Sequence, residues 1–257
     1  MNIGIIGTGK VATILSEKLF FASHEISFVA GRNKTATQHL AEKYNALALN
    51  LLDEIPNQVD VVLIAVSDTV IETISNRKFN NNIIIAHTSG AISKDILNKC
   101  SNNFGVFYPL QSITKATKPN VEIPFLIDGN NDFTSSTLFD IAKSISPKVS
   151  ICSDSERTKI HVAAVIVNNF TNYLFAVAED YCAKENIDFS LLLPIIQETA
   201  ERIKHVSAKD VFTGPAIRKD ENTITKHLNI LEHHPSLKTL YLFLNKSLQD
   251  YYQNLGS

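Results

Sequence analysis

Gly7, Gly9 and Ala12 follow a short apolar segment, Asn2–Ile6, and open a helical pattern, Lys10–Phe21. Residues of these types at this spacing suit a diphosphate. Gly7 permits a tight turn, Gly9 lets a phosphate approach the backbone, and Ala12 lets the helix lie close on the strand. Gly7, Thr8, Gly9, Lys10 and Val11 surround a helix N-terminus that offers free N–H groups and the positive end of its dipole. The next apolar segment runs out into Gly31-Arg32-Asn33. NAD-preferring sites carry an acid here, which accepts from the ribose 2′-hydroxyl. Arg32 stands there instead, with Asn33 and Lys34 behind it. A guanidinium fork matches a 2′-phosphate. The competing reading is a solvated arginine after a strand. The expected cofactor is NADP(H).

Positioning these residues needs strands and helices in alternation. Apolar runs occur at Asn2–Ile6, Ile26–Ala30, Val61–Val66, Ile83–Ala86, Gly105–Tyr108, Phe125–Ile127 and Val149–Ile151. Helical patterns fall between many of them, at Lys10–Phe21, Ala36–Tyr44, Val70–Asn76 and Thr134–Ser144. This predicts an α/β fold: an N-terminal, doubly wound, mostly parallel sheet of the Rossmann type. Strand signals stop after Cys152, and helical stretches follow at Glu156–Asn186, Ser190–Val206, Glu221–His233 and Leu237–Leu255. The expectation is a nucleotide-binding domain over 1–153 and an all-α substrate and dimerisation domain over 154–257. Ala65, Val66 and Ser67 close the third apolar run, and Thr88 follows the fourth. All belong to the carboxyl edge, where open α/β sheets bind ligands. Ser67 and Asp68 serve equally as a cofactor contact and as a helix cap.

A formal net charge of -2 gives no field that draws nucleic acid or an anionic membrane. No apolar run approaches the roughly 20 residues that span a bilayer. Cys100, Cys152 and Cys182 are odd in number and far apart, without metal-ligand or disulfide spacing. His233-His234 lacks an evident carboxylate or thiolate partner, and adjacent helical residues point apart. A cytoplasmic protein without a catalytic metal is expected.

The motifs Gly7-Thr8-Gly9, Gly31-Arg32, Ala65-Val66-Ser67-Asp68, His87-Thr88-Ser89-Gly90-Ala91 and Tyr108-Pro109-Leu110-Gln111 recur together in one bacterial family. With them go His161, Asn168-Asn169, and Thr213-Gly214-Pro215 through Asp220 to His227. The chain resembles, over nearly its whole length, the Rossmann-like proteins that carry a C-terminal helical domain of unknown function. These are related to deazaflavin-dependent NADP oxidoreductases, pyrroline-5-carboxylate reductase and β-hydroxyacid dehydrogenases. The resemblance implies a fold and a cofactor more than a reaction. β-Hydroxyacid dehydrogenases place a catalytic lysine one turn before an asparagine on the long helix. Here the residue four before Asn168 is Ala164, and the one four before Asn169 is Val165. The lysine mechanism therefore does not transfer.

Four residues are candidates for the substrate side: Ser89, Gln111, His161 and Asn168. The Thr88-Ser89-Gly90 loop and Gln111 each have a plainer reading as turn chemistry. At about 100° per residue, His161, Asn168 and Asn172 fall on one stripe of a helix, with Arg157 and Glu179 near it. Such a stripe is a ligand wall, a solvent face or a seam against a second subunit. In the first case His161 is the general acid; otherwise it is a satisfied structural histidine. Asp220, three before Thr223, reads as a helix cap. Leu240, Leu244, Leu248 and Tyr251 form an apolar stripe that a homodimer, or the domain's own packing, would bury. Two functions compete. One is an NADP-dependent oxidoreductase passing hydride to or from a small C=N or C=O substrate, like pyrroline-5-carboxylate reductase. The other is a non-catalytic NADP(H)-binding sensor or interaction protein.

Overall fold

The computed structural model describes residues 1–114, 116–118 and 120–255; positions 256–257 of the expected second domain lie outside them. The described residues divide into two compact units, Met1–Asn169 and Phe170–Ser257 by their outer bounds. The first unit thus continues past the loss of strand signals at Cys152 and takes in the start of the long helix.

One eight-stranded sheet, ordered β3-β2-β1-β4-β5-β6-β7-β8, organises the first unit. Its strands are β1 (Asn2–Ile6), β2 (Glu25–Gly31), β3 (Leu47–Asn50), β4 (Val61–Ile64), β5 (Ile84–His87), β6 (Asn103–Pro109), β7 (Phe125–Gly129) and β8 (Val149–Ile151). All neighbours pair in parallel except β6 and β7. The expected Rossmann arrangement is present, and its order reverses between β1 and β4, where such sheets bind ligands. Seven strands coincide with the apolar runs. The eighth, β3, is a short edge strand whose side chains are mostly exposed; its Leu47-Ala48-Leu49 is apolar but lacks the β-branched residues that mark the other seven strands.

Alternate residues of the strands feed two cores. Ile3, Ile5, Leu63 and Phe125 belong to one, with Leu15 of helix α1 (Lys10–Phe21), Leu40 of α2 (Lys34–Glu42) and Leu138 of α4 (Asp132–Ile145). Ile6, Phe28, Val62 and Ile64 belong to the other, with Ile71 of α3 (Asp68–Ile74) and Leu97. Burial on both faces explains why the central strands read as continuous apolar runs rather than alternating ones.

The predicted helix Glu156–Asn186 is not uniform. It consists of α5 (Asp154–Ala164), a π-helical stretch over Val165–Phe170, and α6 (Thr171–Lys184). A π turn holds more residues than an α turn. The straight polar stripe computed at 100° spacing therefore does not run unbroken from His161 to Asn172. The same stretch corrects the expectation about apolar length. Asp154–Lys184 is long and apolar enough, by length and composition, to cross a membrane, and its most apolar part is not buried. Asn168, Asn169 and Asn172 break the stretch to the eye, whereas its average composition tolerates them.

The second unit contains α6, α7 (Leu193–Arg202), α8 (Pro215–Arg218), α9 (Glu221–Ile230) and α10 (Pro235–Leu255). The Thr213-Gly214-Pro215 motif leads into the single helical turn α8. Asp220 caps α9, accepting from the Thr223 backbone N–H at 3.0 Å and the Thr223 hydroxyl at 2.8 Å. His234 does have a carboxylate partner, Glu185, at 2.6 Å from its Nε2. Sequence distance hid that pairing.

Candidate active site

A cleft of about 730 Å³ opens at the carboxyl ends of β1, β4 and β5. Its lining includes every residue expected to contact the cofactor: Gly7, Thr8, Gly9, Lys10, Val11, Gly31, Arg32, Asn33, Ala65, Val66, Ser67 and Thr88. It also includes Ser89, Gly90 and His161.

The first turn suits a diphosphate on physical grounds. Gly7 has φ +131°, and a Cβ there would come within 2.1 Å of the Ala65 carbonyl oxygen. Only glycine fits that conformation and that approach. Around Gly9 the opposite holds: a Cβ would meet nothing within 4 Å. Gly9 is the N-cap of α1, and no side chain caps that end. The N-terminal N–H groups of α1 are thus left for an anion, in the space above Gly9. Arg32 is exposed on the wall of the same cleft. Asn33 has a second duty there: its Oδ1 accepts from the Ala36 N–H at 3.0 Å and caps α2. Ser67 occupies the N-cap position of α3 without a side-chain capping bond.

The loop after β5 is built differently. His87 is fully buried at the strand's end. Its Nδ1 accepts from the Ser89 N–H at 3.2 Å, which leaves Nε2–H to donate to the Ser93 carbonyl at 3.3 Å. Burial depresses this imidazole to about 4, against an ordinary 6.5, so it is neutral at physiological pH. Ser89 Oγ accepts from the backbone N–H groups of Ala91 and Ile92, each at 3.2 Å, so Ser89 shapes the loop. Among the described residues its own hydroxyl proton has no acceptor.

The same loop is fastened to the start of α5. Ser93 donates to Asp154 Oδ2 at 2.5 Å, and the Lys94 N–H reaches that oxygen at 3.2 Å. Arg157, only 1 % exposed, donates to the Ile92 carbonyl and pairs with Asp154 Oδ1 at 2.6 Å. Burial works against the Asp154 charge, but the hydrogen bonds from Ser93 and Arg157 outweigh it and hold the carboxyl below its usual range. Arg157 was expected near the polar stripe; the structure buries it as an anchor instead.

His161, one turn beyond Arg157, lines the cleft above and also a second cleft of about 550 Å³. Gln111, Asn168, Asn169 and Tyr108 line the second cleft with it. Three of the four predicted substrate-side residues, His161, Gln111 and Asn168, therefore share one cleft, while Ser89 shares the other with His161. Asn168 lies in the π-helical stretch and donates to Asn169 Oδ1 at 3.2 Å. Gln111 uses its Oε1 to accept from the Ser112 N–H at 3.0 Å. Sequence reasoning gave Tyr108 no catalytic part. Its hydroxyl lies 3.0 Å from His161 Nδ1. The signal was its place beside Pro109 at the end of a strand on the ligand-binding edge. Among the described residues, no cluster of three His, Cys, Asp or Glu could hold a metal ion.

Comparison with known proteins sets this geometry in context. Residues 2–90 match the family described as NADP oxidoreductase, coenzyme F420-dependent, and residues 123–248 match DUF2520, a domain of unknown function. A protein from Bacteroides fragilis assigned as an NADP oxidoreductase is 31 % identical, over 97 % of this chain and 98 % of that one, with a TM-score of 0.86. The chain belongs to this two-domain NADP oxidoreductase family. A Thermotoga maritima protein of 23 % identity covers 99 % of this chain and 100 % of its own, with a TM-score of 0.75. Pyrroline carboxylate reductase from Plasmodium falciparum, solved with NADP bound, is 15 % identical over 100 % of this chain and 98 % of its own, with a TM-score of 0.61. These last two likenesses establish the fold. No curated protein matches the chain. The family's cofactor is NADP, which agrees with the glycine turn and with a cation in place of an acid after β2.

Proposed function

We propose that the chain is an NADP(H)-dependent oxidoreductase acting on a small C=N or C=O substrate, in the manner of pyrroline-5-carboxylate reductase. One observation carries the reading: the phosphate turn, Arg32 and His161 line a single cleft. The cofactor, when bound, supplies or accepts hydride at C4 of its nicotinamide. The chain's own residues do the rest. The α1 N-terminus and Gly9 receive the diphosphate, and Arg32 the 2′-phosphate. His161 holds the proton destined for the substrate's heteroatom, as general acid. Gln111 and Asn168, in the adjoining cleft, orient the substrate through their amides. Ser89 donates its remaining hydroxyl proton.

Lack of a lysine at Ala164 favours an imine, whose iminium carbon is already electrophilic. The same lack favours a second reading, in which the protein binds NADP(H) as a sensor without turnover. NADPH oxidation followed across a panel of imines, ketones and keto acids separates the two. Turnover that His161→Ala abolishes while calorimetric NADPH binding persists supports the enzyme. Normal turnover in that variant removes His161 from the mechanism.

We further infer a cytoplasmic homodimer paired through the helical unit. Phe243, Leu244 and Tyr251 of α10 are exposed, as are Leu191 and Ile195. Apolar surface of this kind marks an association face. Sedimentation of the full chain tests it: a monomer at micromolar concentration contradicts the inference.

A further inference from the structure

The proposed role of His161 leaves open what fixes its ring. Resting on that role, we propose that Tyr108 is a positioning residue. Its phenol donates to Nδ1 of His161 and keeps a proton on Nε2, for which no protein partner is found among the described residues.

The geometry is specific. The Tyr108 oxygen is 3.0 Å from Nδ1, and the rings meet edge to face, with centroids 6.0 Å apart at 73°. Tyr108 is held by a rigid element, since its backbone lies in β6 and pairs with Leu126 of β7. The Gly90 backbone closes over the pair. A Cβ at Gly90 would come within 2.8 Å of Tyr108 Cζ and 2.9 Å of His161 Nδ1. The loop that shapes the cofactor cleft therefore lies close against the dyad, and any side chain at Gly90 would have to displace it.

Chemistry sets the direction of the bond. Burial pushes the Tyr108 phenol up, against the opposing charge of Arg157, so it keeps its proton. A phenol O–H is a far stronger acid than the N–H of a neutral imidazole. Between two uncharged partners the arrangement O–H···Nδ1 therefore wins, and the ring's own proton resides on Nε2. In the imidazolium both nitrogens carry protons, and Nδ1–H donates to the phenol oxygen. Nε2 thus bears a proton in either state. The heteroatom of a C=N or C=O group requires a donor of this kind, at the residue where the two clefts meet.

Nitrogen NMR of the full chain carrying isotope-labelled histidine tests this without a substrate. Resonances are assigned with His161→Gln and followed across pH. In the wild-type chain the neutral His161 ring should be protonated at Nε2, with Nδ1 showing the displaced resonance of a hydrogen-bonded acceptor. Tyr108→Phe should move Nδ1 back to the position of a free ring. Gly90→Ala should do the same while retaining both side chains. A neutral ring protonated at Nδ1, or an Nδ1 resonance unmoved in Tyr108→Phe, overturns the proposal. The wild-type spectrum alone decides the tautomer if either variant fails to fold. NADPH calorimetry on the same sample judges the cofactor reading separately: absent heat sinks that reading, whereas the nitrogen signature judges the pair.

Discussion

The turn after β1 and the loop after β5 both end at the carboxyl edge of one sheet, but they are held by unlike means. The first is made of backbone. Gly7 approaches the Ala65 carbonyl, and α1 begins without a side-chain cap. The second is made of polar side chains: the buried His87, Ser89 and Arg157, with the half-buried Asp154, tie residues 88–94 to strand and helix. A backbone site tolerates change around it but not at its glycines. A site of buried polar groups depends on each partner and on protonation. The two should therefore fail differently under mutation and under acid.

Gly7→Ala strikes the first at its most constrained point. A methyl group in contact with a carbonyl, at positive φ, should cost about 3–4 kcal/mol and abolish NADPH binding. Urea denaturation and calorimetry check the two effects, and near-normal values for both would contradict the close approach.

Acid should break the second. The folded His87 stays neutral down to about 4, while in the unfolded chain it takes up a proton near 6.5. Below 6.5 the unfolded state binds more protons, so falling pH favours unfolding until about 4. Above 6.5 the group contributes no pH dependence. The loss across that window is on the order of 3 kcal/mol. His87→Gln should flatten it. An unchanged pH profile of the urea midpoint in that variant would remove His87 as its cause.

Arg32→Glu should leave stability alone and reverse the cofactor preference, by about tenfold to a hundredfold in relative affinity. Smaller still is the effect expected at Asn33, which caps α2 as well as lining the cleft. Asn33→Ala should cost about 1 kcal/mol, and Asn33→Ser only a few tenths, because serine also caps. Thermal unfolding reads the difference. Equal losses in both would mean that the cap is not what Asn33 supplies.

The same contrast explains what the amino-acid sequence reveals. The phosphate turn is local: strand, glycines and helix are contiguous, so Gly7 to Ala12 could be read directly. The buried strands could be read too, because two cores demand apolar residues on both faces. β3 was harder to read, since its Leu47-Ala48-Leu49 lacks β-branched residues and, within the strand, only Leu49 packs against a core. The second region joins residues far apart in the chain. Asp154 and Arg157 hold Ser93 and Ile92, Tyr108 meets His161, and Glu185 meets His234. No spacing rule reports such pairs. The π-helical stretch at Val165–Phe170 likewise left no mark in the apolar periodicity, so the polar stripe was drawn too straight.

Isothermal calorimetry of the folded, full-length chain with NADPH and NADH bears most directly on the cofactor cleft. Both should bind through the shared diphosphate, with NADPH at least about tenfold tighter through Arg32. Equal affinities, or no heat with either nucleotide, would contradict it.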